Sequence, residues 1–235
     1  MPDAGDRSRQ RSGVVRGALA VLVAIAVVGF MMVLGELNPP RPPGISTDRL
    51  GPDRGQPVAD YLAHARDSLT GEDTAEHWAL VSFTEELRPE EIPAHSGGLR
   101  IGQVLHRVPL TDVQTPIVAV QVPAGDAVAV ASADAAAWQL LDQLERTDPH
   151  AVGDRYHRVM TVSIARLRAG CACTVGLIVR GTLPRFRELA ATNGIRAVEA
   201  LPADAVAGAF GISPLLPQQL DVALPGPDTG PVPER

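Results

Sequence analysis

From Gly17 to Gly35 the chain reads GALAVLVAIAVVGFMMVLG, 19 residues without a charge and without a polar face. At a rise of about 1.5 Å per residue, such a helix covers nearly 30 Å, the depth of one bilayer core. Arg7, Arg9, Arg11 and Arg16 precede it, whereas Glu36 and a single Arg41 follow closely. The positive-inside bias therefore predicts a cytoplasmic N-terminus and places the rest of the chain outside. A cleaved signal peptide has a shorter apolar region, about 7 to 15 residues, and ends in a small-residue site of which Val33-Leu34-Gly35 is a poor version. A buried core helix would need a polar face to meet water.

Beyond the span the pattern changes twice. Residues 36–57, ELNPPRPPGISTDRLGPDRGQP, carry neither helical nor alternating period and are dense in proline and glycine, which predicts an extended stalk. Residues 213–235 have the same character and predict a disordered tail, with Leu215, Leu216 and Leu220 available to dock. The expected organisation is thus a cytoplasmic stub at 1–16, a transmembrane helix at 17–35, the stalk at 36–57, a domain at 58–212 and the Pro-rich tail at 213–235. The domain's roughly 155 residues suffice for one hydrophobic core.

Inside the domain two stretches share an order of elements. Trp78–Leu110 reads as an apolar strand, a Pro-Glu-Glu helical turn, a glycine break and a second strand. Thr174–Asp204 repeats that order, with Pro184 at a helix start and Asn193-Gly194 at its end, and predicts a helix over about 184–192. Two β-α-β units predict an α+β domain of ferredoxin-like character, helices covering a mostly antiparallel sheet. The inserted segment supplies a strand in Thr115–Pro123 and a helix with Ser132 as N-cap and Trp138, Leu141 and Leu144 on one face. GDAVAVA before it fits a helix and a strand equally. A further helix, 151–169, aligns Val152, Tyr156, Val159, Met160, Ile164 and Leu167, and Gly170 stops it.

Composition narrows the function classes. All 21 basic side chains are arginine, the formal charge is −6 and the isoelectric point is near 5.5, so the basic surface of a nucleic-acid binder is missing. Ser96 in AHSGG and Ser213 in GISPL lack the strand-Ser-helix setting of a hydrolase nucleophile. Glu76, Glu85, Glu86, Glu90 and Glu91 read as a solvated edge and helix start. No phosphate-cradling glycine loop occurs, and no catalytic residue, cofactor site or metal site is assigned: His64, His77, His95 and His106 are scattered, and His150 and His157 lack a ligand spacing.

Cys171 and Cys173 are the only cysteines. They follow a predicted helix C-terminus, where the dipole disfavours a thiolate, although Arg166 and Arg168 offer a counterweight. Outside the membrane the pair reads as a structural disulfide, local or intermolecular, as buried thiols, or as a C-x-C redox centre. On a regular strand residues i and i+2 share a face, and a bond between them needs a distorted backbone. Zinc needs further ligands that the spacing does not supply. A lipid anchor at Cys171 would lie far downstream of any signal segment.

The set ALVSF, LHRVPL, AGCAC running into LIVRG, GIRAVEALP and PLLPQQ resembles a group of uncharacterised single-pass, membrane-anchored proteins of high-GC Gram-positive bacteria. That resemblance implies a cell-envelope location and no activity. The expected function is a non-enzymatic extracytoplasmic binding or assembly module, its partner another envelope protein or a wall component and its membrane contact the single anchor. The alternative is a membrane-tethered thiol-disulfide oxidoreductase using Cys171 and Cys173.

Overall fold

The computed structural model describes residues 48–234 apart from 124, 149 and 150, together with Val27, Gly29 and Met32. The chain divides into two units, Met1–Gly44 and Ile45–Arg235. In the first, the three described residues are helical. The stub, the span expected over Gly17–Gly35 and the start of the stalk otherwise lie outside the described residues. Among the described residues no helix is long and apolar enough to cross a membrane.

The second unit runs β1 (Arg49–Leu50), α1 (Val58–Asp67), β2 (His77–Leu87), β3 (Arg100–Arg107), β4 (Ile117–Gln121), α2 (Asp126–Val130), α3 (Ser132–Arg146), α4 (Asp154–Arg168), β5 (Thr174–Gly181), α5 (Leu183–Ala190), β6 (Ile195–Ala200) and β7 (Gly211–Ile212). Five strands form one antiparallel sheet in the order β4-β3-β5-β2-β6. β2 and β3 run the same way with β5 between them, and β5 and β6 run the same way with β2 between them. The α+β expectation therefore holds, and the two sequence units interlock. The first crossover is not an α-helix but two 3₁₀ turns, Pro89–Glu91 and Pro93–His95. Pro93 has no N–H to bond the carbonyl of Pro89 four residues back, which cuts the helix there.

Alternation divides β2 between two layers. Ala79, Val81 and Phe83 meet α5 through Leu183, Phe186 and Leu189, and Ile92 joins them from the 3₁₀ connection. On the other face Leu80, Leu105, Val175 and Ile178 pack beneath Leu50 and Leu201, while α1 brings Tyr61 and Ala65 onto Ala197 and Leu215. β5 is buried almost without a break because both faces of the sheet are covered. At one end α3 and α4 pack together over Val118 and Val120 of β4 and over Val108 and Val113.

Several local expectations change. GDAVAVA forms the short helix α2 and no strand. Ser132 is not an N-cap; its hydroxyl turns inward and donates to the carbonyl of Ala129. The buried face of α3 is Ala133, Ala136, Ala137 and Leu140, and Trp138 is 63 % exposed beneath the guanidinium of Arg168, 5.0 Å from its ring centre. Alanines win the contact because they let α4 approach closely, and Trp138 trades burial for a cation–π contact.

The larger correction concerns the two Pro-rich segments. Residues 48–57 are no free stalk and 213–234 no disordered tail: they wrap the sheet together. β1 pairs in parallel with β7, Ser213 N–H donates to Leu50 O (2.8 Å), Val58 N–H to Asp221 O (2.8 Å), and Gly55 N–H to Ala223 O (2.9 Å). A proline-rich strand has carbonyls in excess of N–H donors, and arginines supply the deficit. Arg196 donates to the carbonyls of Leu216, Pro217 and Gln219. Arg155 donates to Gly230 O (2.8 Å) and pairs with Asp228 (2.7 Å). Leu215 is buried and Leu216 partly so, whereas Leu220 stays exposed.

Candidate functional site

α4 ends in a Schellman motif. Gly170, at φ +66°, occupies the left-handed position; its N–H donates to Leu167 O (3.0 Å) and that of Cys171 to Arg166 O (3.2 Å). Cys171 and Cys173 then bond to each other across a bend, with their Cα atoms 5.3 Å apart, and β5 begins at Thr174. The pair thus precedes the strand, so the same-face constraint of an extended strand does not apply. Cys173 is buried and Cys171 half-buried. Neither nearby arginine is engaged with the sulfurs: Arg166 donates to Pro109 O (3.3 Å) and Arg168 lies over Trp138. Arg88 donates to Gly170 O (3.0 Å) and so closes the helix end.

The bonded pair sits where three strands meet. Cys173 N–H donates to Leu87 O (3.0 Å) at the end of β2, and Arg107 N–H at the end of β3 donates to Cys173 O (2.7 Å). The two sulfurs therefore fix the backbone that carries Arg107.

The remaining sequence candidates do not converge. Ser96 is buried and donates to Pro93 O (2.9 Å). Ser213 serves the β1–β7 pairing through its backbone. Glu91 accepts from the N–H of Arg88 (2.6 Å) and Glu76 pairs with Arg180 (3.1 Å). His77 lies with Nδ1 2.7 Å from Leu201 O and Nε2 2.9 Å from the Asp73 carboxylate, which this contact holds below its usual range. His95 has Nδ1 2.9 Å from Glu91 O. His106 is buried between the hydroxyls of Ser132 (2.8 Å) and Thr174 (3.2 Å), and burial holds it down at about 4, neutral at ordinary pH. Among the described residues no group of three or more His, Cys, Asp or Glu could hold a metal ion.

Two features were not singled out in the sequence. The first is Glu199, 4 % exposed on β6. Its carboxylate accepts from Gly51 N–H (2.6 Å) and Tyr61 O–H (3.1 Å), and His64 approaches to 3.6 Å. Burial pushes the carboxyl up, and these partners act against that shift. Tyr61 is driven up by its own burial and then by Glu199, with the Ser82 hydroxyl acting the other way. This cluster ties α1 and β1 to the sheet: the Glu199 carboxylate is buried, and only the His64 imidazole beside it is exposed.

The second is Arg107. Only 9 % exposed, it lines two adjoining clefts of about 310 and 330 Å³ between the end of β3, the segment after it and the wrapped termini. Among the described residues its guanidinium has no hydrogen-bond acceptor and no carboxylate within ion-pair distance; Glu86, on the wall of the second cleft, acts on it only through space. Burial pulls its pKa down and Glu86 pushes it back up. Arg54 lines the first cleft as well. An Arg at the end of an apolar strand is the one sequence signal for such a group, and the strand pattern of LHRVPL hides it.

No family model, curated protein or solved structure matches the chain.

Proposed function

We propose that this chain is a membrane-anchored, extracytoplasmic binding module of the bacterial cell envelope, without catalytic activity, that holds a small molecule or an exposed group of a wall component or envelope protein. The observation that carries the binding role is the open cleft over Arg107, a charged side chain that the fold buries and leaves without a contact partner among the described residues. The Cys171–Cys173 bond supports an oxidising compartment, and the uncharged run at Gly17–Gly35 with arginines before it supports an anchor whose C-terminal side faces outward. We read the sheet order, with β4 as an added edge strand, as ferredoxin-like.

The location is tested on the full chain in spheroplasts. Added protease should digest the second unit and spare the N-terminal stub; a protein recovered from the soluble fraction, or a second unit protected until lysis, would sink the reading.

One observation favours a thiol-disulfide oxidoreductase instead: Cys171 is half-buried and Cys173 buried, an asymmetry that suits attack at one sulfur of the bond. Against it stand the helix C-terminus behind Cys171 and the engagement of both nearby arginines elsewhere. Replacing both cysteines by serine separates the two roles. A structural pair closing so short a loop loses about 1.5 kcal/mol of stability on removal and takes no dithiol turnover with it. A redox centre instead shows a midpoint potential within reach of cellular dithiols and loses all turnover of a dithiol substrate.

A further inference from the structure

We propose that Arg107, assisted by Arg54, anchors a site for a small organic carboxylate, whose two oxygens lie against the guanidinium and whose apolar body follows Pro52, Ile117 and Pro214. The proposal rests on the reading of this chain as a binding module and names what the module takes.

A guanidinium stays charged at any ordinary pH, so it cannot escape burial by releasing its proton, as a lysine or histidine does. Burying a charge without a contact partner is costly, and folded proteins pair such groups or leave them in water. Arg107 is 9 % exposed and has neither an acceptor nor an ion pair among the described residues, and what remains of its surface opens into the clefts. Glu86 compensates part of the charge from beyond contact distance. Arg54 adds a second positive charge to the first cleft, against the sign of a chain whose net charge is −6. Two arginines at one recess in an acidic protein point to an anion.

The walls select among anions. The planar fork of arginine matches two coplanar oxygens. Around it the first cleft presents three prolines, Ile117 and Leu216, surfaces that gain nothing from an inorganic ion but cover a hydrocarbon body. At about 310 Å³ the recess is at the small end of ligand sites. The neighbouring Cys171–Cys173 bond holds the β3 end in place through Arg107 N–H, so the cleft is formed before the ligand arrives.

The test titrates the full chain in detergent with cyclohexanecarboxylate, inorganic phosphate or chloride at matched ionic strength and follows thermal unfolding by calorimetry. Cyclohexanecarboxylate should raise the transition temperature saturably and more than phosphate or chloride. Arg107→Met should weaken the effect ~10-fold or more, because the charge-assisted pair is lost. Arg107→Lys should fall between, and it serves in place of the methionine variant if that one does not fold. The proposal is overturned by an unresponsive wild type, by an undiminished response in the Arg107 variant, or by phosphate matching the carboxylate. The two readings fail separately: a cytoplasmic location sinks the envelope role and leaves the site standing, whereas an unresponsive cleft does the reverse.

Discussion

Glu199 and Arg107 are both charged side chains buried beside the terminal wrap, at 4 % and 9 % exposure, and they have opposite surroundings. Glu199 is met by a backbone N–H, a phenol and an imidazole within 3.6 Å. Arg107 faces an open cleft and meets no contact partner among the described residues. The first arrangement is what a fold does with a charge it uses for cohesion, since every partner belongs to the chain and joins segments far apart in sequence. In the second, a charge is buried with no contact partner among the described residues, and this is the ground on which the cleft is proposed as a ligand site. The difference predicts that damage on the Glu199 side is structural and that damage on the Arg107 side is not.

The largest effect is expected at Gly51, whose N–H reaches Glu199. It sits at φ +100°, and a Cβ there would lie 1.7 Å from the carbonyl oxygen of Ser213. Gly51→Ala must push the two termini apart, take the donor from Glu199 and strain the backbone, at about 4 kcal/mol in all. A urea unfolding midpoint measures it; a change within error would mean that the wrap holds nothing in place.

Next comes the residue beside Arg107. His106 is neutral and satisfied, with a folded value of about 4 against an ordinary one of 6.5. A depressed value means that its contribution is fully present above pH 6.5 and is lost as pH falls toward 4, about 3 kcal/mol for a shift of this size. Glu199 titrates with the opposite sign: its raised value favours the folded state as pH falls into the range where it protonates in the fold but not in the unfolded chain. The His106 share is therefore read as the difference between wild type and His106→Gln in stability from pH 7 to 4. Parallel curves would show that the imidazole is not held neutral. Tyr61→Phe is smaller still: it removes the phenol donor from a buried carboxylate and should cost about 2 kcal/mol, read by the same urea midpoint, with the pH dependence contributed by Glu199 growing as that carboxyl loses a stabilising partner.

How much of this was legible in the sequence follows the range of the forces involved. The split sheet was legible because β2, β5 and β6 announce themselves by local apolar runs and Pro184, Gly170 and Asn193-Gly194 punctuate their neighbours. The α4 face was legible for the same reason. The wrap was not: its order comes from arginines such as Arg196 and Arg155, which reach carbonyls 20 to 75 positions away, and no periodicity records such partners. The cysteines were placed correctly behind a helix end, but their bond waited on the bend that Gly170 makes. Glu199 was hidden inside an ordinary strand, RAVEA, and Arg107 inside another, LHRVPL. In both cases the telling fact is what lies opposite the side chain, which only the folded chain supplies.

The smallest effect on stability, and the sharpest test of the contrast, belongs to Arg107 itself. If its charge had a contact partner in the fold, removing it would strand that partner and cost 3 kcal/mol or so, as for any broken buried pair. With only Glu86 at a distance, Arg107→Met keeps most of the side-chain volume and relieves a desolvated charge. In buffer without organic anions the variant should match the wild type or gain about 1 kcal/mol, and Glu86 is half-buried at a cleft wall where water can still serve it. A loss of more than about 2 kcal/mol would place Arg107 with Glu199 among the cohesive charges and erase the distinction. An unchanged or higher stability, joined to a lost response to carboxylate, leaves the guanidinium with no role in folding and one in recognition.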